Sequence, residues 1–462
     1  MRTRARSSAF GAATLLPLVS VAALAGQARL DPKTLTQDEL FSHTTVWNAH
    51  LSFTPGEWKA IEPTIRPPSG KPAATGEWLH GNPGERNGWR TVQFGIHFTF
   101  AHADLTFEGM PFKDIAARYK GSATYSPRSI AAGKNSLKLD LNKFVKGQKL
   151  AGVSTLNFHN AIADPSWLNE VLAYRLYRDA GVPAPRTAYV RVHLTVPGTY
   201  DRRYSGLYVL VENIDSNFVR ARFPTDEGAV LKPVSVNLFS DLGDVWDDRY
   251  HQTYDPKTDL TDAEKARIIA FCRLVTHATD ADFSARIAGF VDLDQFSRYF
   301  AVVAWLNNWD SILDRGQNFY MWLNPATGKF LFIPWDQDHS FGYFGAQPSG
   351  SHTTGDVRKP WPNHVRFLER MMAVPALRAM YLDRMREFSR TIFQPARFSA
   401  EVAELAPILR PLARLDPPKP AGTQRFVAMD PMEAFETIVA GKAGLLPFTI
   451  ERARNVQQQL GQ

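Results

Sequence analysis

The stretch FAVVAWLNNWDSILDRGQNFYMWLNPATGKFLFIPWDQDHSFG, residues 300–342, decides how the rest of the chain is read. An apolar helical pattern runs into Asn307, Asn308, Trp309 and Asp310, and a short polar loop then reaches Asn318. Two strand-like runs follow, FYMWL and FLFIPW, joined by the turn-rich NPATGK. The second run ends on Asp336, Gln337, Asp338 and His339. A helix therefore delivers one carboxylate, a loop one amide, and a hairpin two more carboxylates. Hard oxygen donors of this kind suit Mg²⁺ or Mn²⁺ held against phosphates. Phosphoryl transfer asks for that metal, for a carboxylate that orients the attacking hydroxyl, and for positive groups on the spreading charge. On this reading Asp310 is the base, and Asn318 and Asp336 supply the neutral and anionic metal oxygens. Two other readings compete. Short acidic residues commonly cap turns, and Asp336, Asp338 and His339 could form part of a hydrolytic metal site. The sequence has no second cluster such as HxH or HxxEH to complete one.

Upstream, the best-marked helix follows Asp164, an N-cap candidate, with Pro165 in the first turn and Gly181 and Pro183 to stop it. Leu168, Leu172 and Leu176 make its buried stripe. Glu170 falls on nearly the opposite face with Tyr174 and Tyr177, and position alone favours solvation. Before this helix come short strands between residues 91 and 145. In NSLKLDLNKF, Leu137, Leu139 and Leu141 share one face and Lys138 the other, where a lysine is commonly solvated. GKNS at 133–136 is not a P-loop, because Arg128 stands where that fingerprint needs glycine. KGSATYSPRS (120–129) could let backbone approach a phosphate. After the helix, SGLYVLVENI is apolar from Leu207 to Val211, as expected of a strand buried on both faces, and Glu212 ends it.

The second half reads as helical. Thr261 and Glu264 form a capping box for the helix carrying Cys272, and Asp292 or Asp294 opens the helix leading to Asp310. The domain plan is residues 1–28 as a signal peptide, 29–90 as an N-terminal extension with a Pro/Gly-rich loop, 91–214 as a strand-rich lobe, and 215–462 as a helix-rich lobe.

Composition bounds the function. The 462 residues are 44% hydrophobic, enough for a sizeable core, and the formal charge is +7. Arg2, Arg4 and Arg6 precede an apolar run and Ala23-Leu24-Ala25, the pattern of a cleaved secretory signal. Without those arginines 50 basic residues face 46 acidic ones, and no basic stripe suggests nucleic acid. Pro17 and the many alanines make a weak membrane span. The single cysteine, Cys272, excludes an internal disulfide and reads as a small buried hydrophobe. A secreted, periplasmic or surface location is expected.

Three segments together resemble the CotH kinase family, named for spore coat protein H. They are DPSWLNEVLAYRLYRDAGVPAPRTAYVRV (164–192), GLYVLVENID (206–215) and residues 307–342 above. A helical tail like the family's extends the resemblance over roughly 100–460. It implies an α+β, two-lobed, divergent protein-kinase-like fold and transfer of phosphate from ATP to serine or threonine of a protein, with Mg²⁺ or Mn²⁺. It also implies Asp310 as catalytic residue, and Asp336 with Asn318 as the metal site, Asp338 being the alternative. Lys138 or Lys134 would hold phosphates with Glu170 as helix partner, and Glu212 would lie near the adenine. Fungal relatives act as surface adhesins, so a binding or scaffold protein without turnover is the alternative. Asn318 lies eight residues after Asp310, a longer interval than the D-x-x-x-x-N of ordinary kinases. No His-Arg precedes Asp310 and no glycine follows Asp336 directly.

Overall fold

A computed structural model of the chain describes residues 34–65, 96–121, 125, 133–161, 164–235, 237–342, 353–417 and 430–461. The signal-peptide segment, most of the Pro/Gly-rich loop and most of 120–129 lie outside the described residues.

The expected α+β division is present, with a strand-rich lobe followed by a helix-rich one. Seven strands form the first lobe: β1 (Val46–Ser52), β2 (Ala101–Phe107), β3 (Met110–Tyr119), β4 (Leu137–Asp140), β5 (Thr155–His159), β6 (Thr187–Val196) and β7 (Tyr200–Val211). They close into a barrel of order β1-β2-β3-β4-β5-β7-β6. The closing seam is the parallel pair β1–β6, running from Val46↔Tyr189 to Ser52↔Thr195. Closure removes free sheet edges. The segment set apart as an N-terminal extension therefore supplies β1, a stave of the same barrel.

Period-two alternation fills the barrel. Leu105, Phe107, Ile115, Leu137, Leu139, Leu156, Phe158, Val190, Val192 and Leu210 pack inside it. Lys138 faces outward, cross-strand from Arg118 and Asn157. β7 is buried on both faces as expected, with Tyr208 and Leu210 turned into the barrel and Leu207, Val209 and Val211 packed on the helical lobe.

Helix α1 (Asn169–Asp179) joins the lobes. Gly181, at φ +75°, follows its end as predicted. Its start differs from the sequence reading. The helix begins five residues after Asp164, whose carboxylate instead accepts from Ser166 and from the Asn169 N–H at 2.8 Å. Glu170, Tyr174 and Tyr177, on the face that position alone favoured for solvent, are buried, because the helical lobe covers that side. The second lobe holds α2 (Asp262–His277), α3 (Leu293–Leu306), α4 (Pro375–Thr391), α5 (Pro395–Ala413), α6 (Leu445–Leu460) and a sheet of β8 (Val230–Leu231), β9 (Phe319–Asn324) and β10 (Lys329–Pro334). The capping box of α2 and the Asp292 cap of α3 form as read. Cys272 is buried against Tyr254.

The chain beyond α5 returns to the barrel through an ion pair. Lys134 Nζ donates to Asp416 Oδ2 at 2.6 Å, and the two side chains are 1% and 0% exposed. Asp416 Oδ1 also accepts the Leu207 N–H at 2.7 Å. Gly206 permits this approach, since a Cβ there would lie 2.7 Å from Asp416 Oδ1.

Removing one partner of a buried pair strands a charge, at a cost of about 3–5 kcal/mol. Asp416→Ala is therefore expected to lower stability by that amount in urea unfolding. The paired replacement Lys134→Met/Asp416→Leu should recover most of it.

Candidate active site at the lobe junction

The helical lobe contributes its carboxylates from two loops tied together. α3 ends on Asn307 in the left-handed region, φ +50°. Its terminal carbonyls are capped from α6 by the buried Arg452, whose guanidinium donates to Ala304 O at 2.8 Å and Trp305 O at 3.2 Å. A cation there satisfies orphan acceptors and complements the helix dipole. The next residue, Asn308, is buried and donates to Gln337 Oε1 and Ser340 Oγ at 3.3 and 3.4 Å, bridging the Asp310 loop to the Asp336 loop.

Asp310 is fixed at both oxygens. Gln317 Nε2 donates to Oδ1 at 2.6 Å, and Asn318 Nδ2 donates to Oδ2 at 3.0 Å and to the Asp310 carbonyl at 2.8 Å. His339 Nδ1 is 3.5 Å from Oδ2. Burial raises the Asp310 carboxyl above its ordinary value, with Asp336 adding to the rise. The longer Asp310-to-Asn318 interval thus still returns the amide to the carboxylate.

Asp336, at φ +54°, leaves β10 with its side chain 45% exposed. Its N–H donates to Tyr174 Oη at 2.9 Å. Asn169 Nδ2 reaches the Asp338 carbonyl at 3.1 Å. Helix α1 therefore holds the segment 336–338 from the other lobe. Burial would raise the Asp336 carboxyl, but His159, Lys120, Lys232 and His339 hold it below its ordinary value. His159 is itself pushed well below the usual imidazole range by burial and by Lys120. Asp338 is pushed up to about 8 by burial, with Asp336, Glu170 and Asp310 adding to the rise against His339.

Glu170 enters from α1. His159 Nδ1 donates to both of its oxygens at 2.9 Å, and Tyr174 and the Gln337 backbone also hydrogen-bond to it. Lys120 Nζ contacts His159 Nε2. The lysine linked to Glu170 is thus Lys120, through an imidazole, and not the expected Lys138 or Lys134. Burial pushes Glu170 up and Lys120 down, each to about 8.

The structure brings together Asp310, Asn318, Asp336, Asp338 and Glu170. Lys138 joins the rim, half-buried and near enough for its charge to lower Lys120 further. Lys134 does not join, being consumed by Asp416. Glu212 is likewise engaged elsewhere: Arg186 Nη2 donates to it at 2.7 Å and Arg222 Nη1 at 3.1 Å. Those guanidinium groups overcome burial and hold its carboxyl low. Sequence reading missed Lys120, His159 and Lys232. Arg118 and Lys120 do alternate at period two at the end of β3, a signal for an outward cationic edge.

The donor chemistry fits a divalent cation. His159, Glu170 and Asp336 each bring a ligand atom within 4.8 Å of the others. Four acidic side chains share the junction, three of them raised by burial, and oxygen donors of this kind could hold a hard cation. Among the described residues, no helix is long and apolar enough to cross a membrane.

A family model described as CotH kinase protein matches residues 117–436, well over half of the chain. Among curated proteins, inner spore coat protein H of Bacillus subtilis (strain 168) is 21% identical over 288 residues, 61% of this chain and 75% of that protein. Among solved structures, a Shewanella oneidensis MR-1 toxin–antitoxin complex of HipA, HipB and operator DNA aligns with a TM-score of 0.32 and 15% identity. That alignment covers 71% of this chain and 64% of the other, less than two thirds of its length.

Tyr174→Phe removes the acceptor for the Asp336 N–H and a donor to Glu170. The buried groups left unmatched should cost about 1–3 kcal/mol, measurable by urea unfolding.

Proposed function

The chain belongs to the CotH kinase protein family, and from that premise we propose that it transfers a phosphoryl group from ATP to serine or threonine of an exported or cell-envelope protein. The observation that carries this reading is the fixed, half-buried Asp310 carboxylate beside the acidic loop 336–338. Gln317 and Asn318 hold both of its oxygens in place. Its raised affinity for a proton makes it a stronger base than an exposed aspartate.

In the proposed step the acceptor hydroxyl oxygen attacks the γ-phosphorus of ATP. The bond to the β–γ bridging oxygen breaks, ADP leaves, and the hydroxyl proton passes to Asp310. Asn318 and Asp336, with Asp338 adjacent, would hold the divalent cation. When bound, that cation neutralises phosphate charge and bridges phosphate oxygens. Lys120, with Lys138 beside it, presents positive charge on the barrel side of the cleft. Export is supported by the charged and apolar pattern of residues 1–28.

The test is to incubate the protein with ATP and Mn²⁺, alone and with serine/threonine-containing acceptor proteins, and to measure intact mass. Phosphoryl addition should appear on the chain or an acceptor. Asp310→Asn should reduce it by about 10²–10⁴-fold in a chain that still unfolds cooperatively. Asp336→Asn should weaken Mn²⁺ binding more than Asp338→Asn; the reverse order would move the metal role to Asp338. Neither mass gain nor a nucleotide-dependent thermal shift would sink the kinase reading. Nucleotide binding without transfer would instead mark a scaffold that has kept the site.

A further inference from the structure

Two lysines from opposite lobes meet on one indole beside the metal aspartate. Lys120, just past the end of β3, has its ammonium 4.9 Å from the Trp335 ring centroid. Lys232, directly after β8, lies 5.2 Å from the same centroid and 5.3 Å from that of Tyr320. His159 meets Trp335 edge-on at 5.5 Å, and Tyr320 does so at 5.3 Å. The platform is therefore braced from both lobes. The Lys232 backbone is also fixed, its N–H donating to the Tyr254 and Asp255 carbonyls at 2.9 and 3.1 Å. Both ammonium groups act on Asp336.

The aromatic face, the charge of Asp336 and, at Lys120, the His159 ring nitrogen all act to offset the repulsion between these like charges. An ammonium over a ring is a modest interaction, weaker than a charge-assisted hydrogen bond to a phosphate oxygen in a site screened from water. A divalent cation on Asp336 would also engage the carboxylate that the two lysines share. The arrangement then favours a polyanion reaching both ammonium groups.

We propose that Lys120 and Lys232 form a two-lobe clamp for the polyphosphate chain of a nucleoside triphosphate, with Trp335 as their common platform. This rests on the phosphoryl-transfer reading above and adds Lys232 as a phosphate-binding residue contributed by the helical lobe. The clamp predicts that dependence on Lys232 rises with the number of phosphates, because AMP is too short to reach both lysines.

The test is calorimetric titration of the wild-type chain, Lys232→Met, Lys232→Arg and Lys120→Met with ATP, AMP and inorganic tripolyphosphate, each in Mn²⁺. Lys232→Met and Lys120→Met should each lose about ten- to a hundredfold in affinity for ATP and tripolyphosphate, as loss of a hydrogen bond to a charged group implies. AMP affinity should stay at the wild-type value, and Lys232→Arg should recover most of the loss. Wild-type ATP affinity in Lys232→Met, or equal losses for ATP and AMP, would overturn the clamp while leaving phosphoryl transfer standing. Lys232-dependent binding of tripolyphosphate by a chain that ignores ATP would keep the clamp and remove the nucleotide reading. A wild-type chain that binds neither would remove both.

Discussion

The buried carboxylate of Glu170 is the constraint on which the junction depends. A carboxylate removed from water costs several kcal/mol unless its lone pairs are met. Here they are met from three directions: β5 through His159, its own helix through Tyr174, and the opposite lobe through the Gln337 backbone. The barrel, α1 and the acidic loop are therefore positioned by one group. Placing histidine rather than lysine against Glu170 has a second effect. The Lys120 ammonium is held by a neutral nitrogen, so its charge remains directed at Asp336 and the cleft.

The acidic loops owe their shape to left-handed turning points. Asn307, Asn318 and Asp336 have φ of +50°, +58° and +54°. For most L-residues that conformation costs about 1–2 kcal/mol, and asparagine and aspartate tolerate it best. The same residue types serve as turn formers and as oxygen donors. At Asn318 and Asp336 the two uses would coincide in the proposed function, where bending the chain would also present a ligand atom to the cation. The Asn308–Gln337–Ser340 contacts tie the two loops together.

Much of this was legible in local pattern. Apolar periodicity gave the hairpin, the strand buried on both faces and the helix leading to Asp310, while Thr261 with Glu264 marked a helix start. The residues of 300–342 that suggested hard-cation chemistry do converge. The errors share one cause. Helix position alone favoured solvent for Glu170, against the resemblance that made it a lysine's partner, and Lys134, the alternative to Lys138, was set against phosphate and Glu212 near the adenine, because the groups that meet these residues lie on distant segments. The helical lobe covers Glu170, Asp416 arrives from 282 residues away to meet Lys134, and Arg186 and Arg222 close over Glu212.

By itself, then, the sequence determined which residues could turn, cap, alternate and donate oxygen, since those properties belong to side chains and their immediate neighbours. Only the tertiary structure decided that β1 closes a barrel, that His159 stands between Lys120 and Glu170, and that Lys120 and Lys232 share Trp335. Barrel closure depends on pairing between strands far apart in the chain. The charge of a buried group is set by whatever the fold brings within a few ångströms of it, and neither is encoded in local spacing.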